Sequence, residues 1–125
     1  MEKKTKSLLL FHGSARQNAL ESANNFLDSI TNEGINAAIC FLRGQQPDLN
    51  SALLAAINEG FKKIHLIQLF LLPGAHVNED IPKIISDFND RFPEIEIEVT
   101  PNLVELPEFK EMIVELITNV RESKQ

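Results

Sequence analysis

The chain has one cysteine, no tryptophan and no tyrosine among its 125 residues. A single cysteine excludes an internal disulfide and fits a reducing compartment. That residue, Cys40, lies within an apolar run and reads as a small buried hydrophobe. Without Trp or Tyr there is no obvious platform for stacking bases or a flavin, and the eight Phe residues are scattered at core-like spacings. Positive charge is also scarce. Twelve Lys and Arg face eighteen Asp and Glu, a net charge of -6. That argues against a general nucleic-acid binder, which needs a basic face. No apolar stretch reaches the ~20 residues that cross a bilayer. The apolar run after the opening lysines is too short for a signal-peptide core, so strand is the better reading. Neither G-x-G-x-x-G nor a P-loop pattern is present, which disfavours a nucleotide site at Gly13-Ser14.

What is present is an alternation of short apolar runs with longer amphipathic segments. Length and the lack of any linker or repeat predict one domain over residues 1–125. Strands are expected over 7–11, 35–42, 64–72 and 95–99. Helices are expected over 18–32, 49–59, 78–90 and 106–120. Asp48 suits a helix N-cap. Gly34 and Gly60 suit helix ends. The residues Asn78-Glu79-Asp80 and Pro82 read as the start of the third helix. The nearly all-apolar third strand reads as central, and the alternating 95–99 segment as an edge. The expected fold class is α/β, with about four parallel strands flanked by helices and joined by right-handed crossovers.

Two histidines stand where chemistry is expected. His12 follows Leu8-Leu9-Leu10-Phe11 and precedes Gly13-Ser14, and His76 follows Leu69-Phe70-Leu71-Leu72-Pro73-Gly74-Ala75. Parallel strands of one sheet end on one edge, where such sheets bind ligands. The two imidazoles are therefore expected to face one crevice, as a metal site or an acid-base pair. His65 lies inside the third strand, away from that edge, and reads as structural. Glu79 and Asp80 read first as helix-start acids, with Asp80 also placed to orient His76.

The His12-Gly13-Ser14 motif, with Gly74-Ala75-His76-Val77-Asn78-Glu79-Asp80-Ile81-Pro82, resembles the small sirohydrochlorin chelatases of the CbiX/SirB type. The likeness covers essentially the whole chain. It implies a chelatase domain over residues 1–125 that inserts cobalt, nickel or ferrous iron into a sirohydrochlorin-type tetrapyrrole. His12 and His76 are then the metal-binding and catalytic residues. Ser14, Arg16, Arg43 and Gly74 are candidates for binding the substrate, which carries many carboxylates. No permanent cofactor is implied, since the divalent metal is a substrate. The resemblance also implies a cytoplasmic homodimer with no nucleic-acid or membrane partner. Apolar surface on the last helix, or the loops around the site, is expected to form the contact. Two positions depart from the family pattern. Relatives carry a glutamate where this chain has Arg43, and an arginine where it has Ala15, with Arg16 one place later. An always-charged guanidinium cannot ligate a metal. The alternative reading is therefore a chelatase-like protein that binds metal or tetrapyrrole with weak or lost catalysis.

Overall fold

The computed structural model describes residues 5–13, 17–31, 35–72 and 74–123, with residues 17, 75–78 and 120–123 described by their backbone alone. Strands β1 (Thr5–Phe11), β2 (Ala37–Phe41), β3 (Lys63–Gln68) and β4 (Glu96–Val99) alternate with helices α1 (Gln17–Thr31), α2 (Leu49–Asn58), α3 (Ala75–Arg91) and α4 (Pro107–Ser123). A 3-10 turn, Leu103–Glu105, leads into α4. All four strands are parallel, in the order β2-β1-β3-β4. β1 and β3 are central, and the short, acidic β4 is an edge, as its alternation predicts.

Two apolar clusters sit on opposite faces of this sheet. Leu8, Leu10, Cys40, Ile64 and Leu66 face α2 and α3, whose Leu49, Leu53, Ile81, Ile85 and Phe88 close over them. Leu9, Ile39 and Phe41 face α1 and pack on Ala23, Leu20, Leu27 and Ile30. The split follows from strand geometry, since successive side chains point to opposite faces. Each fully buried Leu, Ile or Phe stabilises the fold by ~1.5–3 kcal/mol relative to exposure. Cys40 is fully buried, and burial, with the Asp48 carboxylate adding to it, pushes its thiol up to about 12.

The helix boundaries follow local chemistry. The Asp48 side chain accepts a bond from the Ser51 N–H at 2.9 Å, capping α2 as expected. That bond holds the Asp48 carboxyl below its ordinary value. Gly60, with φ +97°, ends α2. Its N–H reaches the Ile57 carbonyl at 3.0 Å, and the Phe61 N–H reaches Ala56 at 3.2 Å. These two bonds close a Schellman cap. Gly34 lies outside the described residues.

Three expectations need correction. α3 begins at Ala75, three residues before the expected start, with Gly74 as its N-cap. Pro82 therefore lies inside the helix, and the first turn holds no acid, so Glu79 and Asp80 are not helix-start residues. β3 ends at Gln68 rather than 72, because the Phe70 and Leu71 carbonyls turn to accept the N–H groups of Leu103 and Val104. Leu71 and Leu72 stand exposed beyond it.

Candidate functional site

The site builds outward from the end of β1. Leu8 and Leu10 point toward α2 and α3, so His12, two residues further, points the same way. Its ring meets the buried Phe70 edge-on, with centroids 6.1 Å apart and planes at 79°. The imidazole itself is exposed at the carboxyl edge of the sheet. β1–β2 pairing runs past the strand ends. The Leu42 N–H donates to the Phe11 carbonyl at 2.9 Å, and the Arg43 N–H donates to the His12 carbonyl at 3.0 Å. Gly13 turns the chain away with φ +100°, and a Cβ there would fall on the Arg43 carbonyl oxygen. This glycine answers to the protein's own backbone.

His76 occupies the first turn of α3, the helix that covers the face toward which His12 points. Its side chain lies outside the described residues. Around the Gly74 cap nothing comes within 4 Å of the place a Cβ would occupy, so this glycine borders open space. The backbone thus brings both motif segments to one edge and one face of the sheet.

Arg43 completes the cluster. Its Nη2 lies 3.6 Å from Oδ2 of Asp80, which stands one helical turn beyond His76 on α3. Arg43 therefore reaches from the end of β2 toward α3, over the edge that carries His12. The ion pair is about half exposed on both sides and too long for a hydrogen bond. Beside Arg43 an open hollow of about 590 Å³ is bordered by Leu20, Leu42 and Gln46. Asp80 has a partner that sequence reasoning missed. The sequence suggests a helix-start acid that can also orient His76, and in the structure its carboxylate pairs with Arg43. Phe70 was also missed as the seat of the His12 ring. Its place in an apolar run, before proline and glycine, gave no sign of that contact.

Among the described residues no group of three or more His, Cys, Asp and Glu is gathered to hold a metal. Ser14 and Arg16 lie outside the described residues. His65 is half-buried in mid-β3, between Ser7 and Glu98 in register, away from the site.

The CbiX family profile matches residues 6–120. The chain belongs to the CbiX family. It is 29% identical over 93 residues to a sirohydrochlorin ferrochelatase of Priestia megaterium, covering 72% of this chain and 35% of that one. It is 28% identical over 88 residues to a sirohydrochlorin cobaltochelatase of Methanosarcina barkeri, covering 69% and 68%. The chain thus spans about a third of the length of the ferrochelatases it matches. Among solved structures, a CbiX protein from Marinobacter aquaeolei superposes with a TM-score of 0.79 at 22% identity, over 96% of this chain and 99% of that one. SirB from Bacillus subtilis subspecies spizizenii in complex with cobalt superposes with a TM-score of 0.71 at 29% identity, over 81% and 44%. The second CbiX motif of this chain is the start of α3, and the first is the exit from β1. In this CbiX-family chain no helix is long and apolar enough to cross a membrane among the described residues.

Proposed function

We propose that this chain is a metallochelatase that inserts a divalent metal into a sirohydrochlorin-type tetrapyrrole. The observation that carries the reading is the convergence of two motif segments. His12 leaves β1 on the α3 side, and His76 lies in the first turn of α3. The relatives support it by name, since they are sirohydrochlorin ferrochelatases and cobaltochelatases. The solved SirB structures were obtained with Fe3+ and with cobalt.

In this mechanism the substrate metal binds the neutral imidazoles of His12 and His76. Imidazole suits cobalt, nickel and iron, and holds them less tightly than a thiolate cage, so the metal can be released. Insertion removes two pyrrole N–H protons. Each imidazole can take up one of them at the nitrogen it frees as it gives up the metal. Arg43, with Ser14 and Arg16, binds peripheral carboxylates, and a guanidinium grips a carboxylate through two parallel bonds. Gly74 leaves room at the rim for the flat ring. The metal is consumed, so the enzyme needs no permanent cofactor.

The single domain serves as one half of a cytoplasmic homodimer, with no nucleic-acid or membrane partner. The test is an absorbance assay of purified protein with sirohydrochlorin and each of Co²⁺, Ni²⁺ and Fe²⁺. Metal-dependent spectral change faster than the protein-free control supports the reading. Rates equal to that control for every metal overturn it.

A second reading has one observation behind it. Arg43 is a permanent cation at the site, and its pairing with Asp80 engages an acid of α3. Such a site binds a polycarboxylate ring well and a divalent ion poorly. It describes a tetrapyrrole-binding protein with slow insertion, and the same assay separates the two.

A further inference from the structure

Asn102 stands at the N-cap of the 3-10 turn with its side chain unused for capping. Its backbone is extended, φ -62° and ψ 157°, as an N-cap requires, yet no N–H of the turn is bonded to its side chain. Asp48, with the same kind of backbone, does make such a bond, to the Ser51 N–H. Asn102 is 8% exposed, and its Oδ1 is buried with no hydrogen-bond partner among the described residues. That oxygen has lost its water, and no donor has replaced it. The other end of the amide is lightly held, with Nδ2 at 3.3 Å from Oε1 of the exposed Glu105. An open hollow of about 420 Å³, bordered by Gln68, Ile81, Pro82 and Val99, adjoins Asn102.

The N–H groups that Asn102 leaves uncapped hold the lip of the candidate site. The Leu103 N–H donates to the Phe70 carbonyl at 3.0 Å, and the Val104 N–H donates to the Leu71 carbonyl at 3.3 Å. The first bond is anchored, because Phe70 is buried and seats the His12 ring. The second is longer, and it restrains a segment whose Leu71 and Leu72 are 53% and 65% exposed. An N-cap side-chain oxygen accepts from the N–H two or three residues on. Three residues on, the Glu105 N–H is already held by the Asn102 carbonyl at 2.9 Å. The Val104 N–H is therefore the donor that two acceptors compete for, the Leu71 carbonyl and the idle Oδ1 of Asn102.

We infer that Asn102 is a positioning residue of the site: its Oδ1 takes the Val104 N–H when Leu71 and Leu72 swing about Phe70 onto the bound macrocycle. The inference rests on the proposed function and deepens it. A tetrapyrrole is polar at its rim and apolar on its faces. The rim suits Arg43, and a face suits two exposed leucines. Swinging the lip breaks the Leu71 bond and leaves the Phe70 bond as the hinge. Without a second acceptor the freed Val104 N–H would be stranded. Asn102 supplies that acceptor by turning its amide, for which the adjoining hollow leaves room. Closing then exchanges one hydrogen bond for another and satisfies an oxygen that the open form leaves orphaned. The ring drives the change, because only the closed form covers its face.

The test compares the original chain with Asn102→Ala, which lacks an acceptor, and Asn102→Ser, whose hydroxyl caps as an amide oxygen does. Both variants lose the Glu105 contact, so serine controls for it. Amide hydrogen exchange at Val104, read by NMR, is expected to be equal in the three proteins without ligand. With sirohydrochlorin bound it is expected to stay slow in the original chain and the Ser variant, and to quicken about tenfold in the Ala variant. Sirohydrochlorin affinity is expected to fall about tenfold in the Ala variant and to recover in the Ser variant, with cobalt affinity unchanged. The urea midpoint of the ligand-free Ala variant is expected not to fall, because the oxygen it removes is orphaned there. Equal protection of Val104 in the ring-bound Ala variant, ring affinity that serine does not restore, or a midpoint lowered by alanine but not by serine each overturns the role. Insertion by the original chain is measured alongside. Insertion with Val104 equally protected throughout leaves the proposed function standing and removes only this role, whereas an original chain that does not bind the ring ends both.

Discussion

Arg43 and Asp80 approach to 3.6 Å, bridging the end of β2 and the second turn of α3. The cation that replaces an expected acidic ligand is thus held by a carboxylate one turn from His76. Exposed pairs of this kind contribute ~0–1 kcal/mol, so the pair matters more for placing Arg43 than for stability.

Replacing Arg43 therefore separates two affinities. Arg43→Ala is expected to weaken sirohydrochlorin binding by about tenfold or more, the worth of a charge-assisted carboxylate contact. Arg43→Glu is expected to lose that affinity while strengthening cobalt binding and raising the insertion rate, because it removes a repelling charge and adds an acidic ligand. Fluorescence or absorbance titration with each ligand, followed by the insertion assay, checks both. Equal insertion by the original chain and the Glu variant, with no difference in ring affinity, would show that Arg43 is a bystander.

His12 and His76 are expected to act as one unit. Each single change to Ala should lower the insertion rate by ~10²-fold or more, and the double variant should fall little further. Cobalt affinity measured by calorimetry should be lost in the double variant. Circular dichroism should stay unchanged for His12→Ala, because that ring is exposed and meets the core at the edge of Phe70. Undiminished metal affinity in the double variant would end the two-histidine site.

Much of this arrangement was legible because local chemistry agreed with the global fold. The Leu8–Leu10 run, the Asp48 cap and the Gly60 stop each specify their element by short-range physics, and the parallel direction of the strands follows from the alternation. Where a residue type has two uses, the sequence misleads. Pro82 suits a first turn, yet α3 tolerates it inside and starts at Gly74-Ala75. Leu71 and Leu72 extend an apolar run that reads as strand, yet they form an exposed lip past its end. The pairing of Arg43 with Asp80 joins two elements far apart in sequence, and no local pattern encodes it. The stripe on α4 was legible as an amphipathic face. What covers that face depends on where the 3-10 turn sends the helix, and a period cannot state that.

Gly13 yields a prediction about backbone rather than chemistry. It combines φ +100° with a Cβ position on the Arg43 carbonyl oxygen. Gly13→Ala must strain the backbone, at ~1–3 kcal/mol, and must also push β2's exit away from His12. Urea unfolding should show at least the strain cost. Insertion should fall further than stability alone explains, because the His12–Arg43 backbone bond is displaced. Ala in place of Gly74 is the control for stability alone, since its Cβ meets open space. A Gly13→Ala protein as stable as the original would mean that this turn can open without cost.

Cys40 provides a pH prediction whose sign follows from burial. Desolvation pushes its thiol from the ordinary 9.0 to about 12 in the folded chain. The unfolded chain therefore loses the proton first as pH rises. The contribution of Cys40 to stability is complete below pH 9 and is lost as pH climbs from there toward 12. Within that window the loss amounts to ~1.4 kcal/mol for each pH unit. Denaturant midpoints between pH 8 and 11 should fall more steeply for the original chain than for Cys40→Ala, whose stability at pH 8 is lower because of the cavity. Thiol reagents at pH 8 should leave the native chain unmodified and react once it is unfolded. A Cys40→Ala protein with the same slope across the window, or rapid labelling of the native chain, would show that the thiol is not held in the core as Leu10 and Ile64 are.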